Sequence, residues 1–320
     1  MTSSLTLFVP EHLHNQRADI ILATLFPEYS RAQHQRWMAE SCVHIDGVLL
    51  HKPKMHLRAH QCITLTPVLT AREVWEAQDI PLTVLYEDEA VLVINKPAGL
   101  TTHPGAGQKD HTLVNALLHY LPTQALLPRA GLVHRLDKLT SGLLIVAKTG
   151  PAHTALVAAL KRRDIHRTYE AIVYGIPTPR TGTIDAPMGR HTTLRTRMCV
   201  TSQGKPAITH YRVTETFRAL SHLTVTLETG RTHQIRVHLT HIGHPLLGDP
   251  TYTHSRLPLN RLTESVRTLV TQCTRQALHA SQLSFLHPLT HEPITVHAPL
   301  PSDMIEWQTA LREDMTDGCP

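Results

Sequence analysis

The chain has 320 residues, 41% of them apolar, with 31 Lys and Arg against 26 Asp and Glu, a formal net charge of +5 before any of its 25 histidines is protonated. That length predicts two domains, and the charge suits a polyanionic partner. Five scattered cysteines without CxxC spacing give no zinc ribbon and no disulfide framework, the N-terminus lacks the basic start and apolar core of a signal peptide, and no apolar run approaches the roughly 18 residues of a membrane span. A soluble, reduced, cytoplasmic protein is expected.

A strand over Leu5 to Val9 opens the chain. Ala18, Ile21, Leu22 and Leu25 fall at helical spacing within Asn15 to Leu25, and Pro27 ends that helix. Ser30 reads as the N-cap of a second helix, Arg31 to Glu40. Two short strands then flank the turn Asp46-Gly47, Lys52 and Lys54 follow, and Cys62 to Leu65 reads as a closing strand. Residues 31–72 carry six Lys and Arg against two Asp and Glu, whereas the first thirty carry one against three. Positive charge is therefore gathered on the second helix and the hairpin.

Residues 67–80 are polar, bounded by Pro67 and Pro81, and read as a linker. Beyond it, strands are expected at 82–86 and 90–96, then a Gly-rich loop over 99–107 and an amphipathic helix from Thr112 to Leu121. Arg135, Asp137 and Lys138 precede a Thr140-Ser141-Gly142 turn and the continuous apolar run Leu143 to Ala147, a buried strand. A helix at 152–161, a strand at 167–175 and an exposed basic hairpin region over 176–204 come next, followed by paired strands at 210–216 and 223–229. A helix is expected to start at Gly230, a sharp loop at 243–250, a variable polar stretch over 251–275, further strands at 276–287 and 294–298, and a terminal helix at 304–311.

The residue types exclude several chemistries. His238, His241 and His244 have no Cys or Glu nearby to complete a tetrahedral metal set, and read as histidines facing solvent or RNA. Ser141 and Cys199 sit in no nucleophile signature, and the 99–107 loop fits neither a P-loop nor a dinucleotide fingerprint. One carboxylate in a charged loop remains, with several Arg and a strand Tyr. Ordinary glycoside hydrolysis uses two carboxylates, one to protonate the leaving group. A single carboxylate suits a leaving group that is stable as an anion and stays bound, as uracil would be on leaving the ribose of uridine.

The first segment resembles an S4 RNA-binding domain through Arg17-Ala18-Asp19-Ile20, Ser30 to Met38, Val43 to Gly47 and Lys52-Pro53-Lys54. From residue 81 to about 300, five stretches in order resemble the RluA-type pseudouridine synthases. They are Asn95 to Leu100 with His103-Pro104-Gly105, His134 to Leu144, Tyr169 to Val173, Thr229 to His238, and Gly243 to Pro250. With the S4-like front end, the chain is most similar to the RluD-like branch that acts on large-subunit ribosomal RNA.

This resemblance implies an α+β protein. A small S4 α/β domain at 14–66 and a linker at 67–80 would precede a catalytic domain at 81–302 with a mixed, mainly antiparallel sheet, then a C-terminal helix and tail at 303–320. It implies isomerisation of uridine to pseudouridine in 23S ribosomal RNA, by a monomer, without cofactor or metal. Asp137 matches the catalytic aspartate, which attacks C1′ or removes the C2′ proton. Tyr169 matches the tyrosine that stacks on the base, with its hydroxyl able to assist loss of the C5 proton. Arg236 matches the arginine that pairs with the carboxylate, with Arg231 as its rival. Arg135 matches an arginine that fills the stack or binds phosphate, and Arg231, Arg31, Arg36, Lys52 and Lys54 are further RNA-binding candidates. The rival readings are a non-catalytic RNA-binding or ribosome-assembly protein, an RNA N-glycosidase, and the same chemistry on transfer RNA.

Overall fold

The computed structural model describes residues 4–26, 31–66, 75–105, 107–194, 196–253, 260 and 262–316 (backbone only for 31–33). The expected cap at Ser30 and the acidic tail beyond 316 lie outside them. The chain divides into two compact units, 1–74 and 75–320.

In the first unit, β1 (Leu5–Phe8), β2 (Gln16–Arg17), α1 (Ala18–Leu25), α2 (Arg31–Ala39), β3 (Val43–Ile45), β4 (Val48–Leu49), β5 (His56–Leu57) and β6 (Cys62–Leu65) follow in order. An antiparallel sheet runs β1-β6-β3-β4. Helix α1 starts at Ala18 rather than Asn15, because Gln16 and Arg17 pair with β5. Asp46 and Gly47 both adopt positive φ, which matches the right-handed twist of the hairpin β3–β4. Ile21 and Leu22 of α1 and Trp37 and Met38 of α2 pack with Ile63 and Leu65 of the sheet into a small closed core.

The second unit is built on β7 (Thr83–Glu87), β8 (Val91–Lys96), α3 (Leu113–Tyr120), β9 (Ser141–Ala147), α4 (Gly150–Arg162), β10 (His166–Tyr174), β11 (Thr181–Asp185), β12 (Met188–Arg190) and β13 (Met198–Val200). It continues through β14 (Ile208–Thr216), β15 (Leu220–Leu227), α5 (Gln234–His241), α6 (Glu264–Gln272), β16 (Leu278–Leu286), β17 (Pro293–His297) and α7 (Ser302–Thr316). A nine-stranded sheet runs β11-β14-β15-β10-β16-β9-β8-β7, with β17 also on β16. Every pairing is antiparallel except β16 with β9, so the mixed, mainly antiparallel sheet expected from the sequence is what forms. Residues 75–80 bond to α3: Gln78 N–H donates to Asn115 O, and Asn115 Nδ2 to Glu76 O.

β9 is buried at all seven positions, as its unbroken apolar run predicts for a central strand. Its start differs from expectation. Ser141 and Gly142 are already strand, and the turn sits at Lys138–Leu139. Gly142 has φ +113°, and a Cβ there would lie 2.3 Å from Ala280 O, so only glycine lets β9 lie against β16 at this point. Ala280 is the Cα partner of Gly142 on one side and of Tyr169 in β10 on the other. Two strand spacings, about 10 Å, therefore separate the base of the Asp137 loop from Tyr169.

Two further expectations are corrected. The helix expected from Gly230 starts at Gln234, because His233 takes left-handed geometry and the Gln234 side chain bonds the preceding turn instead of continuing a helix. The polar stretch 251–275 holds α6, whose Val266 and Val270 pack on Met304, Trp307 and Leu311 of α7. Among the described residues no helix is long and apolar enough to cross a membrane.

Candidate active site

A cleft of about 910 Å³ opens over β10 and the loops before β9 and α5, and Asp137, Tyr169, Arg236, Arg135 and Arg231 all line it. It carries seven Lys and Arg (129, 135, 161, 163, 167, 231 and 236) against two carboxylates, Asp137 and Glu228. The field inside it is cationic, and its floor is apolar where Leu136, Ile235 and Leu278 contribute.

The Asp137 loop is held by backbone contacts that leave its carboxylate free to face the cleft. Lys96, at the end of β8 and 1% exposed, donates from Nζ to Pro97 O, Leu100 O and Lys138 O at 2.7, 2.9 and 3.1 Å. Thr102 Oγ1 donates to Leu136 O at 2.7 Å, and Gly99 N–H to Lys138 O at 2.8 Å. Both carbonyls flanking Asp137 are therefore bonded. Burial pulls the Lys96 ammonium down to about 7, with Arg275 acting the same way and Asp137 opposing.

Arg236 Nη1 donates to Asp137 Oδ2 at 3.1 Å. The other face of the guanidinium is taken by Asp249, with Nε to Oδ2 at 2.7 Å and Nη2 to Oδ1 at 2.9 Å. Asp249 also accepts from the Thr251 and Tyr252 amides, and the Tyr252 ring lies 4.9 Å under the Arg236 guanidinium. These contacts, against the cost of burial, hold the Asp249 carboxyl below the usual range and raise Arg236. Asp249 on one edge and the Tyr252 ring on one face fix the fork so that Nη1 is turned to Asp137.

Gln234 anchors the other wall. Its Oε1 accepts from Thr229 Oγ1 and Arg231 N–H, both at 2.9 Å, and its Nε2 donates to Ile208 O and Thr209 Oγ1, both at 3.0 Å. His233 Nε2 then lies 3.9 Å from Asp137 Oδ1, with Nδ1 2.7 Å from Tyr252 Oη, and burial lowers its pKa.

Tyr169 is 5% exposed, and burial raises its phenol. It stays protonated at neutral pH, so it presents a ring and an O–H rather than a phenolate base.

Of the two arginines weighed as Asp137's partner, Arg231 is exposed and its Nε donates to Pro206 O at 3.2 Å, while Arg236 holds the carboxylate. Arg135 is exposed on the cleft wall. The first-unit candidates are elsewhere in the chain's other unit: Arg36 pairs with Glu40 at 2.7 Å, Lys52 and Lys54 are exposed, and the Arg31 side chain lies outside the described residues. His238 does not face solvent or RNA, as its sequence suggested. It is fully buried, with its ring nitrogens 2.9 Å from Thr209 Oγ1 and 3.0 Å from Ala186 O.

Asp249, Tyr252, His233 and Lys96 had no assigned role in the sequence reading. Asp249 offered a signal, a carboxylate fixed between Gly248 and Pro250; a Cβ at Gly248 would lie 2.2 Å from Arg275 O. Tyr252 and His233 offered none, since their roles come from long-range packing.

Residues 90–241 match the family model for RNA pseudouridylate synthase. The ribosomal large subunit pseudouridine synthase D of Vibrio cholerae serotype O1 is 50% identical over 312 residues, 97% of this chain and 95% of that protein. The protein of the same name from Escherichia coli K12 is 47% identical over 313 residues, 98% of this chain and 96% of that one. The chain belongs to the RNA pseudouridylate synthase family. It is accordingly an isomerase that converts uridine to pseudouridine in RNA. The solved human RNA pseudouridylate synthase domain containing 1 superposes with a TM-score of 0.54 at 27% identity, over 74% of this chain and 96% of that one. Human RNA pseudouridylate synthase domain containing 4, at 24% identity, shares the fold with a TM-score of 0.57 over 72% and 93% of the two chains.

Proposed function

We propose that this synthase modifies uridines of large-subunit (23S) ribosomal RNA, with Asp137 as its catalytic carboxylate, Tyr169 as the stacking platform and Arg236 as the cation that orients Asp137. The observation that carries the reading is the Asp137–Arg236–Asp249 arrangement on the wall of a cationic cleft, in a chain half identical to proteins named for the large ribosomal subunit.

The chemistry needs one carboxylate. Asp137 attacks C1′ or takes the C2′ proton; on either route the C1′–N1 bond breaks and uracil leaves as an anion. The freed base turns on the Tyr169 ring and C5 bonds to C1′, displacing the Asp137 carboxylate on the first route, or adding to the glycal while Asp137 returns its proton to C2′ on the second. The C5 proton then passes to solvent and N1 takes one up. Burial keeps the Tyr169 phenol protonated, so what it can offer the base is an O–H and a neutral ring. The uridine must leave its stack to enter, at a cost of a few kcal/mol. Arg135, exposed two residues before Asp137, is suited to fill the gap, and the rim cations to bind phosphates.

The first unit is read as an S4-type RNA-binding domain, with Arg31, Arg36, Lys52 and Lys54 meeting the RNA backbone. Its support is the sequence pattern, carried by a unit that closes its own core from two helices and a four-stranded sheet. The protein is read as a cytoplasmic monomer, as its sequence leads one to expect.

The test is carbodiimide mapping of pseudouridine in ribosomal RNA from a deletion strain rescued with wild type or Asp137→Asn. Wild type restores the missing modifications and Asp137→Asn restores none, a loss of at least about 10⁴-fold in rate in vitro. Full restoration by Asp137→Asn would sink the catalytic assignment. A deletion strain with every large-subunit pseudouridine intact would sink the substrate assignment.

A further inference from the structure

Arg167 stands out among the cleft cations. It lies on β10 two residues before Tyr169 and is 8% exposed, while Arg129, Arg135, Lys161, Arg163 and Arg231 are all exposed. Arg236, the other buried one, has two carboxylates. Among the described residues the Arg167 side chain makes no hydrogen bond and no ion pair, and its Nε is buried without an acceptor. The carboxylates that could serve it are committed: Asp137 to Arg236, Glu228 to Arg163 and His210, Glu170 to His222. His134 cannot serve as an anion, and burial and Arg167 together push it down to about 3, leaving a neutral ring.

The guanidinium occupies built space. Positions 167 and 169 point to the same face of β10, about 7 Å apart along the strand. Both line the cleft. The tip of Arg167 lies under Gly230, where a Cβ would stand 2.7 Å from Nη1. Gly230 has no positive φ that would demand glycine; its lack of a side chain leaves room for the guanidinium. A buried cation without a counter-charge is costly to fold, and the cost is recovered when an anion arrives. RNA brings one anion per nucleotide, next to the base that Tyr169 receives.

We propose that Arg167 is the phosphate-binding residue of the site, taking the phosphodiester on one side of the flipped uridine and supplying through that ligand the ion pair the fold leaves unmade. The inference rests on the reading of the cleft as the uridine site. The phosphate it grips sets how far the ribose descends toward Asp137. The rim cations, by contrast, meet phosphates in solvent and act on the RNA as a whole.

The experiment is a chemical double-mutant cycle with the full-length protein. The substrate is a synthetic RNA fragment that wild type modifies, made with a neutral methylphosphonate at the linkage 5′ or 3′ of the target uridine. With wild type, one of the two neutral linkages lowers kcat/KM by about ten- to a hundredfold, the value of a charge-assisted hydrogen bond. Arg167→Met lowers it equally on the natural RNA and loses nothing more on the neutral one. Gly230→Ala, which pushes the guanidinium aside, behaves as a weaker Arg167→Met. Two results overturn the proposal: wild type indifferent to both neutral linkages, or losses from Arg167→Met and the neutral linkage that multiply. A wild type that turns over no ribosomal fragment would instead indict the substrate assignment; the cycle is then run on whichever RNA the wild type does modify.

Discussion

Arg236 and Arg167 are two buried arginines in one cleft with opposite surroundings. Arg236 is held by Asp249 on one side, meets Asp137 on the other and lies over Tyr252. Among the described residues Arg167 has no carboxylate partner, and its Nε has no acceptor. The contrast separates two uses of a buried cation. Where the fold supplies the counter-ion, the cation fixes geometry; where it does not, the cation is reserved for a charge the substrate brings.

Stability measurements should break the pair apart. Arg236→Met leaves Asp249 as a fully buried carboxylate facing no cation, and the loss should be about 3–5 kcal/mol by urea unfolding. Arg167→Met removes a charge with no partner to orphan, so its loss should stay under about 1 kcal/mol even though activity falls. Comparable losses would show that Arg167 has structural work in the free protein, against its assignment to the substrate.

The two arginines also mark what could be read in the sequence. The pairing of Arg236 with Asp137 was implied by the family resemblance of its motif, with Arg231 as rival, and it is the Arg236 guanidinium that meets the carboxylate. What was legible locally was a charged loop before β9 and β9 itself, since burial on both faces demands an apolar residue at nearly every position. Tyr252 and the Arg167–Gly230 contact were not legible, because they depend on how the loops after α5 and β15 fold back on Arg236 and Arg167, and Asp249 carried only the local signal of its place between Gly248 and Pro250. Helix α6 was missed for a different reason: Val266, Leu269 and Val270 have helical spacing, but Thr and Glu dilute the signal. The late start of α5 followed from Gln234, whose side chain competes with the helix for backbone groups.

Acid should sharpen the comparison, because burial, reinforced by the neighbouring arginines, keeps the cleft histidines neutral. His134 is depressed to about 3, by burial first and by Arg167 second, and His103 to about 4, by burial and then Arg129 and Arg135. A histidine depressed on folding binds its proton more readily when unfolded. Its contribution to stability is therefore complete above about 6.5 and is lost as pH falls toward the folded value. From pH 6.5 to 5 each such group costs up to about 2 kcal/mol. His134→Gln, whose side-chain oxygen can still accept from Ile145 N–H as His134 Nε2 does at 3.1 Å, should flatten the decline in urea unfolding between those pH values. In the Arg167→Met background the wild-type His134 should titrate higher, so the decline should begin at the same pH, near 6.5, but level off sooner below about pH 5, with a smaller total loss. An unchanged profile in both variants would mean that other groups drive the acid loss.

The smallest effects belong to the rim, where the same distinction between paired and unpaired cations should recur in solvent. Lys161 is exposed with no carboxylate partner among the described residues, whereas Arg163, two positions on, is paired with Glu228. A phosphate reaching Lys161 displaces only water and salt, and that contact adds about 0.7 to the slope of log affinity against log salt for single-stranded RNA. One reaching Arg163 must first displace Glu228, so its net contribution is reduced. Lys161→Ala should therefore lower the salt slope in filter binding by about 0.7, and Arg163→Ala by clearly less. Equal slopes would mean that Glu228 does not neutralise its partner once RNA is near, and that the rim acts as a uniform positive field. In that case selective use of cations in this cleft would be confined to its buried floor, where solvent cannot substitute for the missing counter-ion of Arg167.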